Sequence, residues 1–545
     1  MGKTSNIIKA VGMTTAIVVS NAALAAAEDL PNPSLDKSLL KSQSATAKVA
    51  LSAKALPKSI GIGSNYQNQF ITNSRSIPIK ISQVPAEISE PEEPISDPSK
   101  LDPSSNPLLF PTQADEVQVD PEQPISLQQA IELAIRNNRD AEVARLNIQR
   151  SEEELREAKA ALFPTLDFSA DIINTEPASQ RLIFEQEIRE GRRSDRSFDK
   201  VTRFDSDLEL SYNVYTGGRR GADIRRATKQ LRFNELDLER IVEQVRFEAA
   251  RDYYNLQNSD AAVAIERAAV EDAQQTLRDA QLQEQAGLGT RFEVLQAEVE
   301  LADTQQRLTD ALADQDIARR ELAQTLSLGE KVDLKTADAI AEVGLWELSL
   351  EESIVQAYKN RAELEQFLLQ REISEEQRTI AISAIRPQVS IFGRYELADD
   401  LKDDVDIQDG YTVGARLQWQ LFDGGAASAQ ARQEDTDREI AESQFANQRN
   451  EVRLEVERAY FDLQANKKNI ATADKAVDLA EERLRLARLR FTAGVGTQTE
   501  VIDSQAALTR ARANLLTAII NYNVSYISLQ RAVSNLPDGS LLDLP

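Results

Sequence analysis

From Ala222 to Ala286 the chain runs 65 residues without a glycine or a proline. Nothing in it breaks or kinks a helix, so the stretch reads as one uninterrupted rod. At ~1.5 Å per residue such a rod is roughly 100 Å long, several times the width of a globular core. Val270, Ala273, Leu277 and Ala280 recur at spacings of three and four while Glu, Asp, Arg and Gln fill the other faces, which makes a coiled-coil seam. A helix of this length needs neighbours as long as itself.

The chain supplies one. Ala426 to Ala493 is a second stretch of 68 residues without glycine or proline, and the two superpose at a constant offset of 207: Tyr253 on Tyr460, Leu256 on Leu463, Gln257 on Gln464, Val270 on Val477, Leu277 on Leu484. The protein is therefore an internal duplication. Both rods stop at the same turn, Gly287-Leu288-Gly289-Thr290 and Gly494-Val495-Gly496-Thr497, where the paired glycines permit the positive φ of a sharp reversal. Shorter helices follow, Arg291 to Leu328 and Gln498 to about Val533, each about half a rod.

The segments ahead of the rods are duplicated too. Ser126 and Ser349 are N-cap candidates for helices expected to continue about ten turns to Pro164 and Pro387, and both pairs are 223 residues apart. After each proline the period becomes two. Leu166, Phe168, Ala170 and Ile172, then Leu208, Leu210, Tyr212 and Val214, alternate with polar residues; Val389 to Leu397 and Val413 to Leu421 repeat the pattern. Four strands of nine to eleven residues are predicted, joined in pairs by long charged loops, Asn174 to Arg203 and Ala398 to Gly410. The longer first loop accounts for the shift of offset from 223 to 207, a difference of 16 residues. The second strand of each pair ends in a double glycine, Gly217-Gly218 or Gly424-Gly425, which releases the chain into the rod.

Composition narrows the function classes. A net charge of −26 argues against a nucleic-acid surface and favours attraction of cations wherever acids line a confined space. There is no cysteine and no histidine, which removes disulfides, thiolate metal sites and the usual proton-transfer side chain, and no cofactor motif is present; a non-enzymatic role is expected. Lys3 and Lys9 precede an apolar run and small residues near position 27, the pattern of a signal peptide over 1–27. Residues 28–124 hold 13 of the 18 prolines and are expected to be a disordered lead. The duplicated body is assigned to 125–328 and 349–535, with a connector at 329–348 containing Trp346, expected outside the rods at their midpoint, and a tail at 536–545.

The predicted strands are about long enough to span a bilayer and are apolar on one face, polar on the other, as in a transmembrane barrel wall with a wet interior. Four strands cannot close a barrel, for which about eight is the lower limit, so the wall must be shared between subunits. A secreted coiled-coil structural or adhesive protein with accessory hairpins remains the alternative, and a carboxylate-dependent enzyme a third.

The tandem order helix, proline, strand, loop, strand, Gly-Gly, long helix, glycine turn, helix resembles the TolC family of outer-membrane efflux ducts over nearly all of residues 126–535. That resemblance implies a mainly α fold with transmembrane β, in which a homotrimer builds a twelve-stranded barrel continuous with an α-helical tunnel into the periplasm. It implies a passive exit duct in outer-membrane lipid for efflux or type I secretion. Its partners would be a periplasmic adaptor protein and an inner-membrane pump or secretion ATPase. The tips, Gly287, Leu288, Gly289, Thr290, Gly494, Val495, Gly496 and Thr497, would touch the adaptor. Glu500 and Asp503 align with the family's ring of entrance acids, with Glu293 and Gln296 as first-half counterparts. Pro164 and Pro387 would be swivels between tunnel and barrel. Gly496 stands where some members carry an arginine that locks the closed entrance, so another contact must hold closure here.

Overall fold

The computed structural model describes residues 122–175, 178–192, 201–329, 331–401 and 406–533, with short stretches between 93 and 118 ahead of them. The expected signal peptide over 1–27, most of the lead and the tail at 536–545 lie outside the described residues.

The chain opens with β1 (Gln123–Ile125), α1 (Leu127–Asn137) and α2 (Arg139–Ala160), then β2 (Thr165–Thr175), α3 (Ala178–Arg189) and β3 (Val201–Tyr215). The first rod, α4 (Arg219–Gln285), turns into α5 (Arg291–Thr325), and β4 (Leu334–Thr336) lies in the connector. The second repeat is α6 (Leu350–Asn360), α7 (Ala362–Ser383), β5 (Gln388–Asp400), β6 (Gln408–Gln418), the rod α8 (Ala426–Thr492) and α9 (Gln498–Val533). Both rods are 67 residues long. The three shorter helices of each repeat line its rod: α1, α2 and α5 pack on α4, and α6, α7 and α9 on α8. No helix among the described residues is long and apolar enough to cross a membrane.

Three expectations are corrected. The helices that begin after Ser126 and Ser349 do not run unbroken to the prolines. Each breaks after 11 residues, at Asn138 (φ −62°, ψ 127°) and at Arg361 (φ −70°, ψ 113°). Asn138 recaps the chain by accepting from the Ala141 N–H at 3.0 Å, as an N-cap residue does. Arg361 is held instead by tertiary contacts: its guanidinium donates to Glu363 (3.0 Å), to Glu455 (2.7 Å) and to the Ala532 carbonyl (3.3 Å). Burial by itself raises the Glu363 carboxyl, but the charge and hydrogen bond of Arg361, joined by Arg531, outweigh it and hold that group at about 2.

Second, the end of the lead is seated. The Ile95 N–H donates to the Pro124 carbonyl (2.9 Å), Leu101 is buried, Asp102 pairs with Arg136, and β1 runs parallel to β4. These bonds satisfy backbone groups that a short strand would otherwise leave bare. Trp346 of the connector is half-buried, donates to Ser353 Oγ (3.0 Å) and stacks edge-on to Tyr526, with ring centroids 5.9 Å apart. Third, β3 and β5 extend to 15 and 13 residues, α3 occupies part of the first loop, and β6 stops at Gln418, short of the predicted Leu421.

The four long strands form one antiparallel sheet in the order β2-β3-β5-β6, so β2 and β6 are open edges. Its register sorts the faces. Leu166, Leu210, Gly393 and Val413 share one row and Phe168, Leu208, Tyr395 and Tyr411 the next on that face, while Asp167, Glu209, Arg394 and Thr412 share a row on the other. Arg394 pairs with Glu209 on the polar face. The apolar face carries exposed Leu166, Phe168, Ile172, Tyr411, Val413 and Leu417, a surface that water does not tolerate well.

Candidate functional site

Both rods end in the same geometry. Gly287 and Gly494 take φ of 70° and 72°, left-handed values that cost an L residue energy. Their N–H groups donate back to Glu284 and Phe491 (both 3.0 Å), and the next residues, Leu288 and Val495, donate to the Gln283 and Arg490 carbonyls (2.9 and 3.0 Å). This is a Schellman closure. It leaves Leu288 and Val495 pointing outward, 84% and 69% exposed. Gly289 and Gly496 serve a different need: a Cβ there would lie 3.0 Å from Gln283 Cβ or from Arg490 Cβ and carbonyl carbon. An arginine at 496 would have to shift the turn.

Thr290 and Thr497 then cap the returning helices, accepting from the Glu293 and Glu500 N–H groups at 3.3 and 3.2 Å. Here the two tips diverge. Glu293 completes a capping box, its carboxylate accepting from the Thr290 N–H at 2.7 Å. The Glu500 carboxylate reaches back across its turn to Arg490 at 3.6 Å. Asp503 is exposed one turn further along α9, and its counterpart Gln296 carries no charge, its side chain meeting Thr499 at 3.3 Å. Glu500 and Asp503 are thus brought to one helix turn, while Glu293 sits on the other tip.

More contacts tie the two repeats together near this end. Arg488 on α8 pairs with Asp272 on α4 at 2.7 Å, and Gln505 on α9 donates to Thr276 on α4 at 3.0 Å. These pairs are 216 and 229 residues apart in sequence, so no local pattern reveals them. No cluster of acids that could hold a metal occurs among the described residues.

At the opposite end, α2 and α7 stop at Ala160 and Ser383, and Pro164 and Pro387 immediately precede β2 and β5. The double glycines return the chain from sheet to rod with left-handed φ at all four residues: Gly217 67°, Gly218 95°, Gly424 73° and Gly425 91°.

With this geometry in hand, comparison with known proteins identifies the class. The model of the outer membrane efflux protein family matches residues 130–328 and 353–535, most of both repeats. The chain is 28% identical over 186 residues to the outer membrane efflux protein BepC of Brucella suis, a match spanning 34% of this chain and 40% of that relative. Among solved structures, CusC superposes with a TM-score of 0.65 at 16% identity, covering 82% of this chain and all of that one. The Campylobacter jejuni outer membrane channel CmeC does so with 0.64 at 16%, covering 79% and 94%. The chain belongs to the outer membrane efflux protein family.

Proposed function

We propose that this protein is a passive exit duct: three copies join their four-stranded sheets into a barrel in the outer membrane, and their rods form a tunnel that receives cargo from a periplasmic adaptor and an inner-membrane pump or secretion ATPase. The observation that carries the reading is the sheet with one apolar and one polar face and two unpaired edges. Lipid accepts no open edge, so the sheet must be completed by other chains. The polar row of Asp167, Glu209 and Arg394 then faces water inside the barrel.

The two glycine tips form the adaptor-facing end. Outward Leu288 and Val495 offer apolar contacts, while Gly289 and Gly496 lie tight against the last turn of their own rods and so hold that presentation in place. Three copies of Glu500 and Asp503 around a narrow mouth focus negative potential, bind cations and hinder anions. With glycine at 496, closure is held by Arg488–Asp272, Gln505–Thr276 and Gln296–Thr499, which fasten the second repeat to the first near the tips. Opening moves the inner helices outward, with Pro164 and Pro387 as the swivels. Catalysis has no part in this cycle.

Planar-bilayer recording tests the reading. Purified protein should insert and conduct in steps of threes-of-a-chain channels, block with multivalent cations, and open further when Asp272 is changed to Ala. A protein that never inserts, or whose conductance ignores both changes, contradicts it. A secreted structural or adhesive protein would instead remain soluble without detergent.

A further inference from the structure

The two repeats set the same backbone around the breaks in their short helices but fill the space beside it differently. In the second repeat the Arg361 side chain, 4% exposed, is sunk against the rod and the returning helix, bonded to Glu363, Glu455 and the Ala532 carbonyl. Arg531 brings a second guanidinium to Glu363 at 3.0 Å. Offsets of 223 for the short helices and 207 for the rod and returning helix carry these groups onto the first repeat, where both cations are replaced: Asn138 stands for Arg361 and Gln324 for Arg531. Their acceptors persist, with Asp140 for Glu363, Glu248 for Glu455 and Thr325 for Ala532. Two carboxylates are added, Asp252 in place of Ala459 and Glu321 in place of Ser528. The exchange opens a cavity of about 440 Å³ at the Asn138 break, between α4 and α5, into which Glu248, Asp252 and Glu321 all face. Arg251 is the sole cation of its lining, and it is bound to Asp252 at 2.9 Å with its side chain 44% exposed. Three carboxylates against one guanidinium leave an excess of negative charge that the second repeat meets with its own arginines.

We propose that this cavity binds a small guanidinium-bearing cation, which takes in the first repeat the place that the Arg361 side chain takes in the second. The acceptors are the ones the duplication carries over. Glu248, oriented by the Gln244 amide at 2.7 Å, stands where Glu455 receives Arg361. The Thr325 carbonyl, like that of Ala532, belongs to the last turn of its helix and has no partner within it. Asp252 is buried and fixed by the Thr325 hydroxyl, which donates to it at 2.7 Å. Asn138 is shorter than arginine and its Oδ1 is engaged by the Ala141 N–H at 3.0 Å, so it does not substitute for the guanidinium. The carboxylates are not grouped closely enough to hold a metal ion. A planar fork of five donors, by contrast, spans separate acceptors. The cavity is within the range of small-ligand sites, roughly 300–1,000 Å³, and larger than a guanidinium group alone, so the occupant is a whole small molecule. Once bound, it ties α5 to the rod where α1 gives way to α2, as Arg361 ties α9 to α8. The site needs only the fold and is independent of the channel reading.

Titration calorimetry on the full chain in detergent tests the proposal, with agmatine as the probe at constant ionic strength and tetramethylammonium as the control. Agmatine should bind saturably, one molecule per chain, and tetramethylammonium, which has no N–H donor, should not. Glu248→Gln should weaken agmatine roughly tenfold or more, the loss of one hydrogen bond to a charged group. Gln324→Arg, at an exposed position, returns the cation of the second repeat and should block agmatine without lowering the melting temperature. No binding to the folded wild-type chain, or binding that survives both substitutions, overturns the site. Equal binding of tetramethylammonium reduces it to charge attraction and overturns it as well. If methylguanidinium binds and agmatine does not, the cavity takes an arginine side chain of a partner protein instead, and the small-molecule proposal falls. None of these outcomes touches the oligomeric state or conductance by which the channel reading is judged.

Discussion

The two tips are the same backbone carrying different charge. Each is a rod closed by a left-handed glycine, a second glycine pressed against the rod's last turn, and a threonine cap. What differs is the carboxylate three residues on. Glu293 is committed to its own helix N-terminus, while Glu500 leaves its cap and pairs with Arg490. One turn further, Gln296 stands where the second tip has Asp503. The duplicated turn is thus the same twice while its charge differs, so the cation-selective mouth proposed above rests on only one tip of each chain.

The largest effects that probe this comparison lie at the strand-to-rod turns. Gly217→Ala should cost about 2–4 kcal/mol, from left-handed strain plus the contact with Arg386, measured as loss of thermal stability in detergent. Gly424→Ala should cost only the strain, about 1–2 kcal/mol, unless a neighbouring copy fills the space beside it. Equal losses at the two sites would therefore sharpen the case for the interface between copies.

Next come the acids. Neutralising Glu500 and Asp503 together should raise anion conductance severalfold and weaken cation block, whereas Glu293→Gln should leave selectivity alone. The first-tip change should instead destabilise its helix by about 1 kcal/mol through the lost half of the capping box. A selectivity change from Glu293→Gln of the same size as that from the pair would break the distinction between tips. Smaller still, Thr290→Ala should cost somewhat more than Thr497→Ala, each about 1 kcal/mol, because only Thr290 takes part in a reciprocal box in which Glu293 also caps its N–H.

A pH dependence follows from the break at Arg361. Glu363 is held at about 2, below its ordinary value, so its contribution to stability is fully present above the ordinary carboxylate range and is lost as pH falls toward 2. Glu243 behaves oppositely: burial raises its carboxyl, with Arg246 only partly opposing, so its contribution is present at low pH and disappears as pH rises through the raised value. Glu363→Gln should flatten the acid limb of a melting-temperature profile, and Glu243→Gln should raise stability near neutral pH. Unchanged profiles would remove both groups from the account.

What the sequence made legible was whatever has a local signature. Rod lengths followed from missing glycines and prolines, the tips from Gly-x-Gly-Thr, and the sheet faces from period-two alternation. The break at Arg361 was hidden because arginine is neither a helix breaker nor a capping residue. Arg361 leaves the helix to reach Glu455 and the Ala532 carbonyl, 94 and 171 residues away. Asn138, following Asn137 and preceding Arg-Asp, carried an N-cap signal that could have been read. The seated end of the lead was masked by its prolines, since Ile95 and Leu101 dock one at a time and show no periodicity. At the tips, the acids were visible as residues, but the difference in their partners emerged only from three-dimensional contacts.

The central claim, that four half-greasy strands are completed by sister chains, is tested most directly by imaging single particles extracted from envelope membranes with detergent. The account predicts threefold particles in which a barrel of twelve strands continues into a long helical tube. Monomers that stay dispersed in plain buffer, with the sheet edges unpaired, would contradict it.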